Sequence, residues 1–457
     1  MTPRATAAAL WLASLALPGA AAAGPESEVA SALDTGDKLD LHVSLDYVYS
    51  AHRAAIKREL VGLPGADPDG PIPLVKDLVF KGSRHELVPR LELGVFTDLA
   101  VTAALPVVLQ DSRSLEFDQR ADDCTFAGDP GRATCVDASN STTVADGILP
   151  ATGFDAGDPD GGFSPGDATI FRGVDRVGLD QLHLGLVWAP MNQERDETKP
   201  TWKIAAEMRL PVGRTMRLDR ADPDRSDGVG SGLYELRVAT SMARRLGWAE
   251  PFFEVWWQAA LGAKDGAPLD DLPQPFGAEQ VSPQQRAGGR AGFEAIAWES
   301  GSEDERIGLR LEGLLEAHFE GRAYSEMWEV FAYAGHGASG GVLALDADPT
   351  AAGRQTVSHP GVTNVENYLS LGGRAGVDAR LGRRVRLALD FQLTWDQAHL
   401  ITFADAGVDG DDPGDVVDPG TEEVNPLHVP LIDLVGHRYR VDESLVYALT
   451  AGLRLLF

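Results

Sequence analysis

The chain has 457 residues, and its 69 Asp plus Glu against 40 Lys plus Arg leave a formal charge of −29, which disfavours nucleic acid as a partner. At 44% apolar and 24% charged residues it is too apolar to be disordered. Fifty Gly and 28 Pro spread along its length favour many strands and long loops over helical bundles, and its two cysteines are too few for a disulfide scaffold and lack His or Cys neighbours at zinc spacing.

The chain opens with Arg4, an apolar run from Ala5 to Leu17, and the small residues Ala20 to Ala23. A charged start, a short apolar segment and an A-x-A ending predict a secretory signal peptide over 1–23, cut after Ala23. A periplasmic segment over 24–38 follows, and 39–457 reads as one unit. No later stretch reaches the roughly 18 apolar residues of a spanning helix. Cys124 and Cys135 would then meet an oxidising compartment and close a small disulfide loop.

Period-two alternation dominates the rest. In 385–396, Val385, Leu387, Leu389, Phe391, Leu393 and Trp395 alternate with Arg386, Asp390, Gln392, Thr394 and Asp396. In 307–320, Ile307, Leu309, Leu311 and Leu315 oppose Arg310, Glu312, Glu316 and His318. The same test predicts strands near 39–50, 84–96, 99–110, 180–190, 201–212, 232–245, 250–261, 287–299, 306–320, 364–379, 384–404 and 441–457. Each is near the ~9 to 11 residues that cross a bilayer as a tilted strand. Connections alternate long and short, as in outer-membrane barrels with long outer loops and short periplasmic turns. The predicted fold is therefore all-β: a single transmembrane antiparallel barrel of twelve strands. A soluble β-sandwich also alternates, but its outer face would be far more polar than these Leu and Phe rows.

The chain ends Thr450-Ala451-Gly452-Leu453-Arg454-Leu455-Leu456-Phe457. This resembles the terminal assembly signal of Gram-negative outer-membrane barrels, with Thr450, Gly452, Leu455 and Phe457 in its places. The resemblance implies that barrel-assembly machinery captures this strand by its unpaired edge. Two stretches resemble a narrower group. Leu93-Gly94-Val95-Phe96-Thr97-Asp98-Leu99 with Ala104-Leu105-Pro106-Val107, and Gly166-Asp167 with Leu210-Pro211-Val212-Gly213, are similar to elements of channels related to the long-chain fatty-acid transporter and the phenol meta-pathway barrels. That resemblance implies uptake of hydrophobic or aromatic solutes. The roughly 15 residues before the first strand are too few for the fatty-acid transporter's plugging hatch, and twelve strands also depart from that family.

Twelve strands would close to a backbone diameter of roughly 23 Å, a bore that side chains can fill or line. Glu207, Arg209, Arg310, Glu312, Glu316, His318, Arg386, Asp390 and Asp396 are expected to line the lumen. Ala104, Pro106, Val108 and Val187 would form a small apolar wall. An amphiphile could lie there with its polar end toward the charges, and Pro89, Pro106 and Pro211, which cannot donate to the ladder, mark a candidate lateral opening. The acidic loops around Asp155 to Asp160, Asp222 to Asp227 and Asp409 to Asp415 suit Ca²⁺ only weakly, because none has EF-hand spacing. The run Gly335-His336-Gly337-Ala338-Ser339-Gly340 lacks the strand and helix context of a nucleotide or hydrolase motif. The expectation is an outer-membrane channel for passive uptake of small hydrophobic or amphiphilic solutes. No cofactor or catalysis is expected; the partners are lipid, the assembly machinery and the solute. The competing expectation is a closed barrel acting through its surface loops as a structural or adhesive protein.

Overall fold

The computed structural model describes residues 26–33, 40–61, 70–120, 135–270, 276–301, 304–336, 341–410 and 416–457. Twelve antiparallel strands follow in chain order: β1 (Leu41–Glu59), β2 (Leu74–Phe96), β3 (Leu99–Ala104, resuming as Val107–Phe117) and β4 (Thr169–Arg172, Arg176–Leu179 and Leu182–Met191). Next come β5 (Thr201–Leu210), β6 (Leu233–Ala243), β7 (Ala249–Ala263), β8 (Arg286–Glu299), β9 (Arg306–His318), β10 (Tyr368–Leu381), β11 (Val385–Asp396) and β12 (Tyr439–Leu456). Each pairs with the next, and β12 returns to β1 with Val43 opposite Leu455, Asp46 opposite Gly452 and Val48 opposite Thr450. Leu41 and Phe457 exchange backbone hydrogen bonds of 3.0 and 2.9 Å at the seam. A ladder closed in this way has no free edge.

Outside, the alternation is as expected. Leu45, Leu91, Leu186, Leu309, Leu389 and Phe391 are all 41–52% exposed on the outer wall, while the charged residues between them turn inward. A continuous apolar exterior around a charged interior is the inverse of a soluble barrel and suits a bilayer.

The strands differ from expectation in length. β1 and β2 run well past 50 and start well before 84, respectively. In the extra part Ala54, Ala55 and Ile56, like Leu78, Val79 and Phe80, are buried in succession, because both faces are covered there. A segment buried on two faces loses the period-two signal. What covers it is a cap built from the long connections, including α1 (Thr142–Ala145), α2 (Trp328–Gly335) and α3 (Pro430–Asp433). The main hydrophobic core of the molecule lies here, around Ile56, Leu78, Leu115, Phe154, Phe171, Phe331 and Tyr439, and every residue of α2 is buried.

Buried charges fasten the cap. Arg58 donates to the carbonyls of His437 (2.9 Å), Thr142 (3.0 Å) and Leu431 (2.6 Å) and pairs with Asp146 at 2.6 Å. Arg176, with a side chain 0% exposed, meets Glu329 of α2 at 2.6 Å and donates to the carbonyls of Ser226, Gly228 and Arg217. Its guanidinium lies 4.8 Å from the Trp328 ring centroid, where cation–π attraction adds to the ion pair.

Candidate functional site: a charged lumen closed at both ends

The cap closes the outer end, and the segment 26–33 enters the periplasmic mouth. As expected from its length the segment forms no folded hatch; it runs extended and acts through its side chains. Ser27, Val29, Ala30, Ser31 and Ala32 are all buried. Ala32 N donates to Phe96 O at 3.1 Å, Ala30 N to Glu92 Oε1 at 3.2 Å, and Ser27 N to Glu250 Oε1 at 3.1 Å. Arg195 Nη2 and Asp98 N both donate to Ser31 Oγ. Gly94, in the strand end singled out above, permits this approach: a Cβ there would stand 2.2 Å from Ser31 O.

Two glutamates of the segment reach into the lumen. Glu26 meets Arg290 at 2.8 Å and Arg310 at 3.4 Å. Glu28 meets Arg386 at 2.6 Å and Arg454 at 3.6 Å. Carboxylate–guanidinium contacts in a partly dehydrated space are among the stronger polar contacts a protein makes.

Between the closures lie three contiguous cavities of about 440, 490 and 340 Å³. Arg90, Glu92 and Arg454 are shared by the first two, and Arg290 and Arg374 by the last two. Nine Arg or Lys and eight Asp or Glu side chains line the three together, in a chain whose overall charge is −29. Most of that acidity therefore resides elsewhere, and the charges lining the lumen are nearly balanced.

Of the residues expected to line the lumen, Glu207 and Arg209 border the first cavity, Arg310 and Arg386 the second and Glu316 the third. Glu312, its side chain 0% exposed, is sandwiched by Arg290 (3.1 Å) and Arg374 (2.9 Å). Asp390 meets Arg310 at 2.5 Å. His318 and Asp396 belong to a polar girdle below the cap. Ser370 Oγ and Ser444 Oγ donate to the two oxygens of Asp396 at 2.5 and 2.6 Å, His318 Nε2 lies 3.3 Å from Ser370 Oγ, and His52 Nε2 lies 2.9 Å from Ser444 Oγ. The serines stand between histidine and carboxylate, so neither histidine links a serine to the acid as a nucleophilic triad requires. The rings of His318, Tyr368 and His399 stack with centroids 4.1 and 3.8 Å apart.

Val187 faces the first cavity, beside Ala205 and Ala239. Ala104, Pro106 and Val108 are buried and border none of the three cavities. At the Leu105–Pro106 break the wall is held by Leu105 N to Pro89 O (3.1 Å), Asp180 N to Pro106 O (3.1 Å) and Gly213 N to Asp180 O (2.9 Å). Inside it, Arg84 reaches Glu86 and Asp180 at 2.9 and 2.8 Å. The proline interrupts the ladder, yet neighbouring carbonyls and amides are reused, and the wall is shut there. Cys135 is disulfide-bonded; Cys124, its expected partner, lies outside the described residues. Thr450, Gly452 and Leu455 sit in the seam, and Phe457 ends it, 59% exposed. Among the described residues no group of three His, Cys, Asp or Glu is placed to hold a metal ion; Asp411, Asp412 and Asp415 lie outside them.

Sequence reading missed Glu26, Glu28, Arg290, Arg374 and Arg454. Glu26 and Glu28 share the two-residue spacing of an extended segment, the one signal in the sequence that puts both carboxylates on the same side.

The closed ladder, apolar exterior and charged interior define a transmembrane β-barrel of the outer-membrane kind. No family model and no curated protein matches the chain. Among solved structures, an outer-membrane channel of the COG4313 group from Pseudomonas putida F1 aligns at 10% identity and TM-score 0.40, over 96% of this chain and 100% of that one. A Pseudomonas aeruginosa FadL homologue aligns at 8% and 0.30, over 92% and 90%, and the outer-membrane protease OmpT of Escherichia coli at 8% and 0.27, over 93% and 98%. Similarity this low carries no argument about what the chain does.

Proposed function

We propose that this is an outer-membrane channel of a Gram-negative bacterium, exported by a cleaved signal peptide and closed at rest, that passes small amphiphilic solutes without a cofactor and catalyses no reaction. The observation that carries it is the set of contiguous lumen cavities, enclosed by an outer cap and by a segment held through ion pairs. A barrel with a purely structural role has no need to keep such a chamber and could fill it with packed side chains, as small barrels do. Parting these ion pairs gives up charge-assisted contacts, and the cost is offset only as water or an entering solute takes over the freed guanidiniums and carboxylates. The charged lining disfavours pure hydrocarbons, whereas Val187, Ala205 and Ala239 offer a small apolar face to a solute with one polar end. Opening requires the 26–33 segment to withdraw; lateral release past Pro106 would require the hydrogen bonds across that break to part.

Planar-bilayer conductance and liposome uptake test the proposal. The intact protein should conduct weakly, and Glu26→Gln with Glu28→Gln should raise conductance severalfold, because the segment loses its four arginine contacts. If neither protein conducts or admits solute while both remain folded, the barrel is closed and acts through its surface loops.

A further inference from the structure

We propose that the 440 Å³ cavity is a binding site for small, water-soluble organic anions, with Arg90 and Lys203 as the groups that take the carboxylate. The inference rests on the channel reading only in treating the lumen as accessible to solute. Five cationic side chains and four glutamates line this cavity. All four acids are already engaged: Glu92 with Arg454 at 2.9 Å, Glu207 with Arg209 at 2.9 Å, Glu254 with Arg290 at 2.9 Å and Glu28 with Arg386 at 2.6 Å. Arg90 and Lys203 are not. Neither side chain makes a hydrogen bond or ion pair among the described residues, although both face the cavity.

Arg90 and Lys203 feel Asp46, Glu207 and Glu26 only at longer range, with no direct ion pair, and a carboxylate entering the cavity would replace part of their water with a charge-assisted contact. Arg is the side chain best shaped for this, since its fork matches a carboxylate in two places. The chain already uses the same chemistry nearby, where Glu26 and Glu28 occupy Arg290, Arg310, Arg386 and Arg454 from within. Their segment therefore supplies two of the anions that the wall itself lacks. When it withdraws, Glu28 leaves the cavity and the excess of positive charge grows. Val187, Ala205 and Ala239 lie on the same wall, so the anion's body can be apolar but must be compact; nothing in the cavity lining offers a long hydrocarbon track.

Benzoate, benzamide and benzylamine are suitable probes, equal in shape and different in charge. With the full chain folded in detergent micelles and titrated calorimetrically, benzoate should bind at least tenfold more tightly than benzamide, and benzylamine should be the weakest. Arg90→Gln combined with Lys203→Gln should bring benzoate within twofold of benzamide. Each single substitution, for use should the pair fail to fold, should lose about threefold or more. Retention of the heat-modifiable gel shift certifies folding. Equal binding of benzoate and benzamide by the natural sequence, or a benzoate preference that survives both substitutions, overturns the site. Benzoate preference in a protein that conducts nothing upholds the site and counts against the channel; conductance without benzoate preference does the reverse.

Discussion

Arg176→Met should loosen the cap while the barrel stays closed. The substitution keeps most of the side-chain volume but removes a guanidinium that is wholly buried and contacts Glu329 and three backbone carbonyls. Glu329 is left 4% exposed and without its partner, and uncompensated buried charge costs about 3–5 kcal/mol. Arg176 binds cap elements to β4, so the loss falls on local opening of the cap and spares the distant ladder. Amide protection across α2, read by hydrogen exchange in micelles, should drop by about a hundredfold to several-thousandfold. The paired replacement Arg176→Met with Glu329→Met should recover most of it, since apolar substitutes for buried ion pairs are often neutral. If the single variant protects α2 within twofold of the natural sequence, the buried pair does not hold the cap and the reasoning fails.

Further expectations concern the seam, the wall and the cap's acidity. Gly452→Ala places a Cβ 2.6 Å from Asp46 Oδ1, a carboxylate tip that can turn into the adjoining cavity, and should cost no more than about 1 kcal/mol of stability in refolding assays, with Asp46→Ala removing even that. Leu389→Arg, on the lipid face, should destabilise the barrel in lipid by about 2–4 kcal/mol near the midplane, whereas Thr394→Arg, which faces the third cavity, should cost far less in the same urea titration. In the cap, burial first and then the charge of Arg322 hold the His359 imidazole down to about 3. The unfolded ring would protonate near 6.5, so its contribution is intact above that pH and is lost as the pH falls from 6.5 toward 3. His359→Gln should therefore lose less protease resistance than the natural sequence between pH 7 and 5.

The barrel was legible because lipid and lumen impose opposite demands on successive residues, and 307–318 or 385–396 can satisfy both only by alternating. The cap was not. Ile56, Leu78 and Phe331 are buried by partners more than 200 residues apart in sequence in some cases, and a residue enclosed on all sides carries no periodic mark. The lumen was half legible: facing direction follows from parity, which placed Glu207, Arg310 and Glu312 inward. Which charge meets which depends on the stagger of twelve strands and on a segment with no strand pattern. Pro106 marked a real interruption of the ladder, yet whether the wall opens there is decided by carbonyls of neighbouring strands, whose identity the sequence leaves unstated.

The cap draws on both ends of the chain, with Ile56 from β1 and Tyr439 from β12 meeting in one core. Its packing can therefore be completed only after the first and last strands have zipped together. Formation of the lid thus reports that the cylinder has sealed, and a chain stalled with an open seam would leave sticky aromatic groups such as Phe331 and Tyr439 uncovered at the cell surface.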